Sequence, residues 1–188
     1  MAVKPDIKKT IETELKDMPD DFIVAVVSAP ENYAAVNLAL AGYLTKKRKM
    51  SGVYITMNKP YKNMVATLEK EGVDTKKIFF IDAISGIIGD KKSANGNCVM
   101  LPSPGSLTEM GIVISKVCDK KNPRFMIMDS LSTLLLYNNQ RATLKFVHYV
   151  TTQLRKCAWP GIIFSLEKDI EEKILTSMTQ FCDKVIKI

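Results

Sequence analysis

Residues 22–44 read FIVAVVSAPENYAAVNLALAGYL, and this stretch decides the fold. An unbroken apolar run, Phe22–Val27, ends at Ser28-Ala29-Pro30, and a helical pattern starts just beyond it. A continuous run of that kind suits a strand buried on both faces of a parallel sheet. The rest of the chain repeats the alternation. Apolar runs predict strands over 22–28, 52–57, 77–82, 97–101, 123–129, 160–165 and 184–188. Spacing of three and four residues predicts helices over 4–17, 32–47, 60–71, 105–119, 138–157 and 169–179. Strands separated by helices of ten or more residues argue for βαβ units, with right-handed crossovers placing helices on both faces. The expected architecture is a three-layer α/β/α sandwich around a mostly parallel sheet, as one domain over 1–188 with the 1–17 helix packed on it. Pro30, Pro60, Pro104 and Pro160 stand near element starts, where a missing N–H is tolerated. Gly72 reads as a helix C-cap. Segment 83–96, AISGIIGDKKSANG, has no strong period and is the expected mobile loop.

The 22–44 frame is the strand–turn–helix of a phosphate-binding loop, whose pattern is G-x-x-x-x-G-K-[ST]. Set on it, the two glycines fall on Ala29 and Ala34, the lysine on Ala35 and the hydroxyl residue on Val36. Phosphate binding at such a loop needs glycine conformations, a cationic side chain on the phosphates and a hydroxyl on magnesium. None of those groups is present. The helix N-terminus keeps its dipole and free N–H groups. Glu31 would repel phosphate and could satisfy those N–H groups itself. The candidate site therefore comprises Ser28, Ala29, Pro30, Glu31, Asn32, Tyr33, Ala34, Ala35, Val36 and Asn37, a degenerate nucleotide site, with Asn58 and Asp129 joining it from later strand ends. In open α/β sheets, ligands bind outside the carboxyl ends of the strands. Asp82, Glu167, Lys168 and Asp169 map to the same edge, as a turn or a solvated loop or as further members of a polar site.

The chain has 188 residues, 46% hydrophobic and 25% charged, with a net charge of +7. That balance fits a globular protein, and no apolar stretch reaches the length of a membrane span. The N-terminus lacks the apolar core of a signal peptide. Cys98, Cys118, Cys157 and Cys182 lie far apart without a CxxC pair and read as buried free thiols in a reducing, cytoplasmic setting. His148 is the lone histidine, so no metal site is expected, and Ser28 has no triad partner. The positive charge gathers in Lys46–Lys49, Lys76-Lys77, Lys120–Arg124 and Arg155-Lys156, each between a helix end and the next strand. Cations there complement helix C-terminal dipoles, or form a basic rim on the edge opposite the candidate site.

The order of segments resembles RecA-like ATPases, and within them the KaiC-like branch common in archaea. Four places carry the resemblance, which covers residues 18–188. VVSAPENYAAVNLAL looks like a Walker A strand, loop and helix. VYITMNKPYKNMVATLEKEGVD, 53–74, resembles the second strand and its helix. RFMIMDSLSTLLLY, 124–137, looks like a Walker B strand ending at Asp129. ILTSMTQFCDKVIKI resembles the segment that closes the sheet. In that family a Glu near the end of the second strand activates water. Here the place reads Met57-Asn58-Lys59-Pro60, and an amide is no general base. Asp129 would help hold magnesium in such an ATPase; otherwise it caps the helix that begins at Ser130-Leu131.

Three functions follow from the resemblance. The first is a RecA/KaiC-like pseudo-ATPase, without catalytic residues or cofactor, acting in regulatory or scaffolding protein–protein interaction with an unidentified protein partner. The second is a nucleotide-binding protein or ATPase that takes ATP and magnesium by a non-standard loop, using Asn32, Asn37, Asn58 and Asp129. The third is nucleic-acid binding through the basic rim, for which interleaved aromatics are sparse. Loss of a nucleotide at subunit interfaces disfavours a ring hexamer and leaves a monomer or dimer.

Overall fold

The computed structural model describes residues 5–89, 96–119 and 124–188. In chain order the elements are α1 (Pro5–Leu15), β1 (Ile23–Ser28), α2 (Tyr33–Gly42), β2 (Ser51–Thr56), α3 (Tyr61–Lys70), β3 (Ile78–Asp82), β4 (Cys98–Met100), α4 (Leu107–Cys118), β5 (Arg124–Asp129), α5 (Leu131–Tyr137), α6 (Gln140–Cys157), β6 (Gly161–Leu166), α7 (Glu172–Phe181) and β7 (Lys184–Lys187). The strands form one sheet in the order β4-β3-β2-β5-β6-β1-β7. Every pairing among them is parallel. Each predicted strand is present, with ends shifted by one or two residues.

Chain direction across the sheet explains the layers. From β1 the chain moves out through β2 and β3 to β4, then returns to β5 beside β2 and runs on through β6 to β7. Right-handed crossovers in opposite directions put their helices on opposite faces. One core accordingly packs α1, α2 and α3 on Val24, Val26, Tyr54, Phe80, Phe125, Ile127 and Phe164. The other packs α4, α5, α6 and α7 on Ile23, Ala25, Val53, Ile55, Met126, Met128 and Ile163. Burial of such side chains contributes about 1.5–3 kcal/mol each. The N-terminal helix docks through Ile7, Ile11 and Leu15.

Two helices differ from expectation. The 32–47 segment is α-helical only to Gly42 and continues as a π-helical turn, Tyr43–Lys47, in which Arg48 N–H donates to the carbonyl of Tyr43 at 3.0 Å. The 138–157 segment begins earlier and breaks in two. Asn138 ends α5 by donating to the carbonyls of Leu134 (3.0 Å) and Pro104 (3.3 Å). Asn139 then caps α6, accepting from Ala142 N–H at 2.9 Å. The expected mobile loop is tied down in its first half. Asp82 accepts from the N–H groups of Ile84 and Ser85, both at 2.9 Å. Residues 90–95 of that loop, and 120–123 of the third basic cluster, lie outside the described residues.

Gly72 closes α3 as predicted. It takes φ +70°. Its N–H bonds Glu69 and that of Val73 bonds Leu68, a paired Schellman arrangement. Ala158 plays the same part after α6 at φ +54°, with its N–H on Arg155 and that of Trp159 on Leu154. A Cβ is strained in that left-handed region. Ala158→Gly is therefore expected to stabilise the fold by about 0.5–1 kcal/mol, read as a higher urea midpoint at unchanged m-value; a lower midpoint would refute it.

Candidate functional site

Strand alternation brings the site together before any contact is considered. Along β5, Phe125, Ile127 and Asp129 face α2, and register sets Tyr54 beside Ile127 and Thr56 beside Asp129. Connections leave β2 and β5 on opposite faces, so a crevice opens at their carboxyl ends, the switch point of the sheet. Asp129 lies at that crevice, fully buried.

Its carboxylate is enclosed by protein donors. The Tyr33 hydroxyl, from the first residue of α2, lies 2.8 Å from both oxygens. Tyr54 donates to Oδ2 at 2.8 Å. Asn58 Nδ2 donates to Oδ1 at 3.2 Å and also lies 3.1 Å from the Tyr33 hydroxyl and 3.2 Å from Ser130 Oγ. On the other side of the amide, Asn58 Oδ1 accepts from the Thr133 hydroxyl. Asn37 donates from Nδ2 to the Tyr33 carbonyl at 3.3 Å and accepts from Tyr54 at 3.3 Å. The network joins the ends of β1, β2 and β5.

Burial pushes the Asp129 carboxyl above the ordinary carboxylate range, against the lowering effect of the bonds from Tyr33, Tyr54 and Asn58 and of the Lys59 charge. Burial, and next the Asp129 charge, push both phenols up as well. The two effects share one cause: charge is costly in a site that water does not reach.

The structure corrects two expected roles. Asp129 does not cap α5; Ser130 does, its Oγ accepting from Thr133 N–H at 3.3 Å. The Asp129–Ser130 peptide is cis. Glu31 does not satisfy the N–H groups of α2. It is exposed in a 3₁₀ turn, Pro30–Asn32, that shows no side-chain cap bond.

Of the remaining predicted residues, Ser28 ends β1 with its hydroxyl on the Ala29 carbonyl at 3.0 Å. Asn32 precedes α2 without a side-chain cap bond. Ala35 and Val36 are buried in the first turn of α2, and Ala34 is half-buried. Asp82 serves β3 and α3, accepting from Tyr61 N–H at 2.7 Å. Glu167 and Lys168 are exposed on the turn after β6 and do not join the Asp129 network.

Sequence reasoning missed Tyr54, Ser130 and Thr133, and missed what Tyr33 does. Tyr54 did carry a signal: a phenol inside the apolar run of a central strand needs a buried partner for its hydroxyl. Above the network an open groove of about 600 Å³ is lined by Pro30, Tyr33, Asn58, Leu135, Leu136 and Leu166, among others. Leu136 is 80% exposed.

The sheet order, its two helical layers and this switch-point crevice define a KaiC-like, RecA-type α/β fold. Solved structures agree. A KaiC-like protein, PH0186, from Pyrococcus horikoshii aligns at TM-score 0.62 and 13% identity over 90% of this chain and 72% of its own. PH0321 of the same organism, an uncharacterised protein solved in complex with an unknown peptide, aligns at 0.70 and 12% identity, covering 95% and 82%. PH0250, also from P. horikoshii, aligns at 0.63 and 17%, covering 94% and 86%. At these identities the likeness is one of fold. The chain belongs to DUF7504, a family of unknown function, whose model matches residues 26–188. No curated protein sequence matches it.

Two expectations concern the network. Tyr54→Phe removes one donor from a buried carboxylate and is expected to lower stability by about 1–3 kcal/mol at neutral pH, seen in urea unfolding; an unchanged midpoint would mean the bond carries no net weight. The second concerns pH. A carboxyl raised in the folded state contributes stability below its unfolded pKa and loses it as pH rises through the folded value. The stability of the native chain relative to Asp129→Asn should thus fall as pH rises from about 4 through the raised folded pKa. A pH-independent difference would contradict the raised carboxyl.

Proposed function

We propose that this chain is a non-catalytic RecA/KaiC-like domain, a pseudo-ATPase, acting in regulatory or scaffolding protein–protein interaction. The Tyr33 phenol on both oxygens of Asp129 carries the reading. In a nucleotide-hydrolysing relative the matching aspartate would be free to help hold magnesium. Here the hydroxyl stands against it, backed by Tyr54 and Asn58. The residues do not fit a magnesium–nucleotide complex: Ala35 brings no cation, Val36 no oxygen, and Asn58 no general base. The helix N-terminus still offers N–H donors, with exposed Glu31 beside it.

The open groove at the strand ends supports the interaction half of the reading. Its Pro30, Leu135, Leu136 and Leu166 side chains offer apolar area beside hydroxyls of Ser130, Ser132 and Thr133. Apolar groups with a few placed polar ones are what a peptide-like partner needs. The peptide held by the P. horikoshii neighbour favours the same class of partner here. The rear basic rim is a weaker candidate for nucleic acid. Three of its described cations meet acids within the chain: Lys47 with Glu12 at 2.7 Å, Arg48 with Asp20 at 2.5 Å and Arg155 with Asp183 at 2.8 Å.

Calorimetry with magnesium-ATP is expected to give no binding heat at low micromolar affinity. Light scattering is expected to give a monomer or dimer whose mass does not change with nucleotide. Magnesium-dependent binding in that range, lost in Asp129→Ala, would establish the nucleotide-binding alternative instead.

A further inference from the structure

Two cysteines far apart in sequence meet on the face away from α2. Cys118 is the last residue of α4 and Cys157 the last residue of α6. The two helices pack side by side, tied midway by the Tyr149 hydroxyl donating to the Gly111 carbonyl at 3.1 Å. At their ends the Cys157 thiol donates to the Cys118 carbonyl at 3.5 Å. The end of α6 thus brings the Cys157 thiol against the main chain of Cys118. Cys98 lies on β4 and Cys182 follows α7; both are buried, and all four thiols are free.

The geometry points to Cys118 and Cys157 as an oxidative modification site, at which a hydroperoxide converts the free thiols into an intramolecular disulfide pinning α4 to α6. Cys157 is half-buried whereas Cys118 is 7% exposed, so Cys157 meets the oxidant first. Burial, and next the neighbouring Cys157 thiol, push the Cys118 thiol up, which makes it the poorer initial nucleophile. In the first step the Cys157 thiolate attacks the peroxide. An S–O bond forms, the O–O bond breaks, and with hydrogen peroxide one water leaves. In the second step Cys118 attacks that sulfenic sulfur. The S–S bond forms, the S–O bond breaks, and a second water leaves with the Cys118 proton. Two thiols lose two electrons in total and the peroxide gains them.

The bridge would close a loop that contains β5, α5 and most of α6. Cross-linking a loop of that size restricts the unfolded chain and raises stability.

Hydrogen peroxide on the native chain, followed by alkylation, intact mass and peptide mapping, tests the inference. The expected product is a monomer lighter by two hydrogens, with one linked peptide pair containing Cys118 and Cys157 while Cys98 and Cys182 remain alkylated. Its melting temperature should rise by several degrees and return on treatment with a dithiol. In Cys157→Ser the same treatment should leave Cys118 alkylatable. Three results overturn the assignment: cross-linking between chains, a sulfinic acid on Cys157 with Cys118 still free, or four thiols still alkylated after treatment. The wild-type mapping stands by itself should the serine variant fail to fold.

Discussion

A single buried carboxylate organises the functional edge of this protein. Asp129 sits at 0% exposure at the end of a central strand. Bulk solvent does not reach it, and the hydrogen bonds that it accepts come from protein donors. Those donors arrive from three directions: Tyr33 after β1, Tyr54 within β2 and Asn58 just beyond β2. Removing the charge would leave three donors facing one another; removing a donor would leave the charge less satisfied. The network thus holds together the connections at the carboxyl ends of β1, β2 and β5. Asn58 extends the tie to α5 through Ser130 and Thr133. The crevice that fold rules mark for a ligand is, in its depth, a set of internal hydrogen bonds.

That filling bears on the residues of the loop between β1 and α2. A loop that wraps phosphate must keep its N–H groups free and its backbone open, which favours glycine and excludes bulk. This loop carries Ala29, Pro30 and Glu31, and the first turn of α2 carries Ala34, Ala35 and Val36. Ala35 and Val36 are buried in the helix packing, and Tyr33 reaches inward with its ring edge-on to Phe164, centroids 5.3 Å apart. Alanine and valine there add packing that lysine and serine would not. Residues 34, 35 and 36 thus lie in a helix turn that packs largely on the protein itself.

The fold was legible in the sequence because its strands are unbroken apolar runs, buried on both faces, and its helices lie between them. The alternation of β and α fixed the layers, and Pro30, Pro60 and Gly72 marked real element boundaries. Less legible were features set by single side chains. Asn138 and Asn139 split one helical period into α5 and α6, a break that periodicity does not register. The left-handed turn at Ala158 has no glycine to announce it. In the site, alternation placed Asn58 and Asp129 on one edge, yet the capping role expected of Asp129 is filled by its neighbour. Capping belongs to Ser130, whose extended backbone and short hydroxyl suit that position. Aspartate one residue earlier still lies within the strand, facing Tyr54. Local preference named the right kind of residue for a cap, and strand register decided which one takes the part.

Charge offers the same lesson at larger scale. A net charge of +7 invites the thought of an acidic polymer. The described cations on the rear rim instead follow local structure. Lys46 and Lys47 end the π-helical turn after α2, and Arg155 and Lys156 end α6, where carbonyls point outward. Lys46 donates to the carbonyl of Glu71 at 2.6 Å, and Lys184 pairs with Glu14 at 2.6 Å, fastening α3 and α1 to their neighbours. Exposed pairs of this kind contribute about 0–1 kcal/mol each and weaken with salt. At the opposite edge, the groove over the Asp129 network leaves Leu136 80% exposed, with exposed Glu31, Glu167 and Lys168 on the same edge of the sheet.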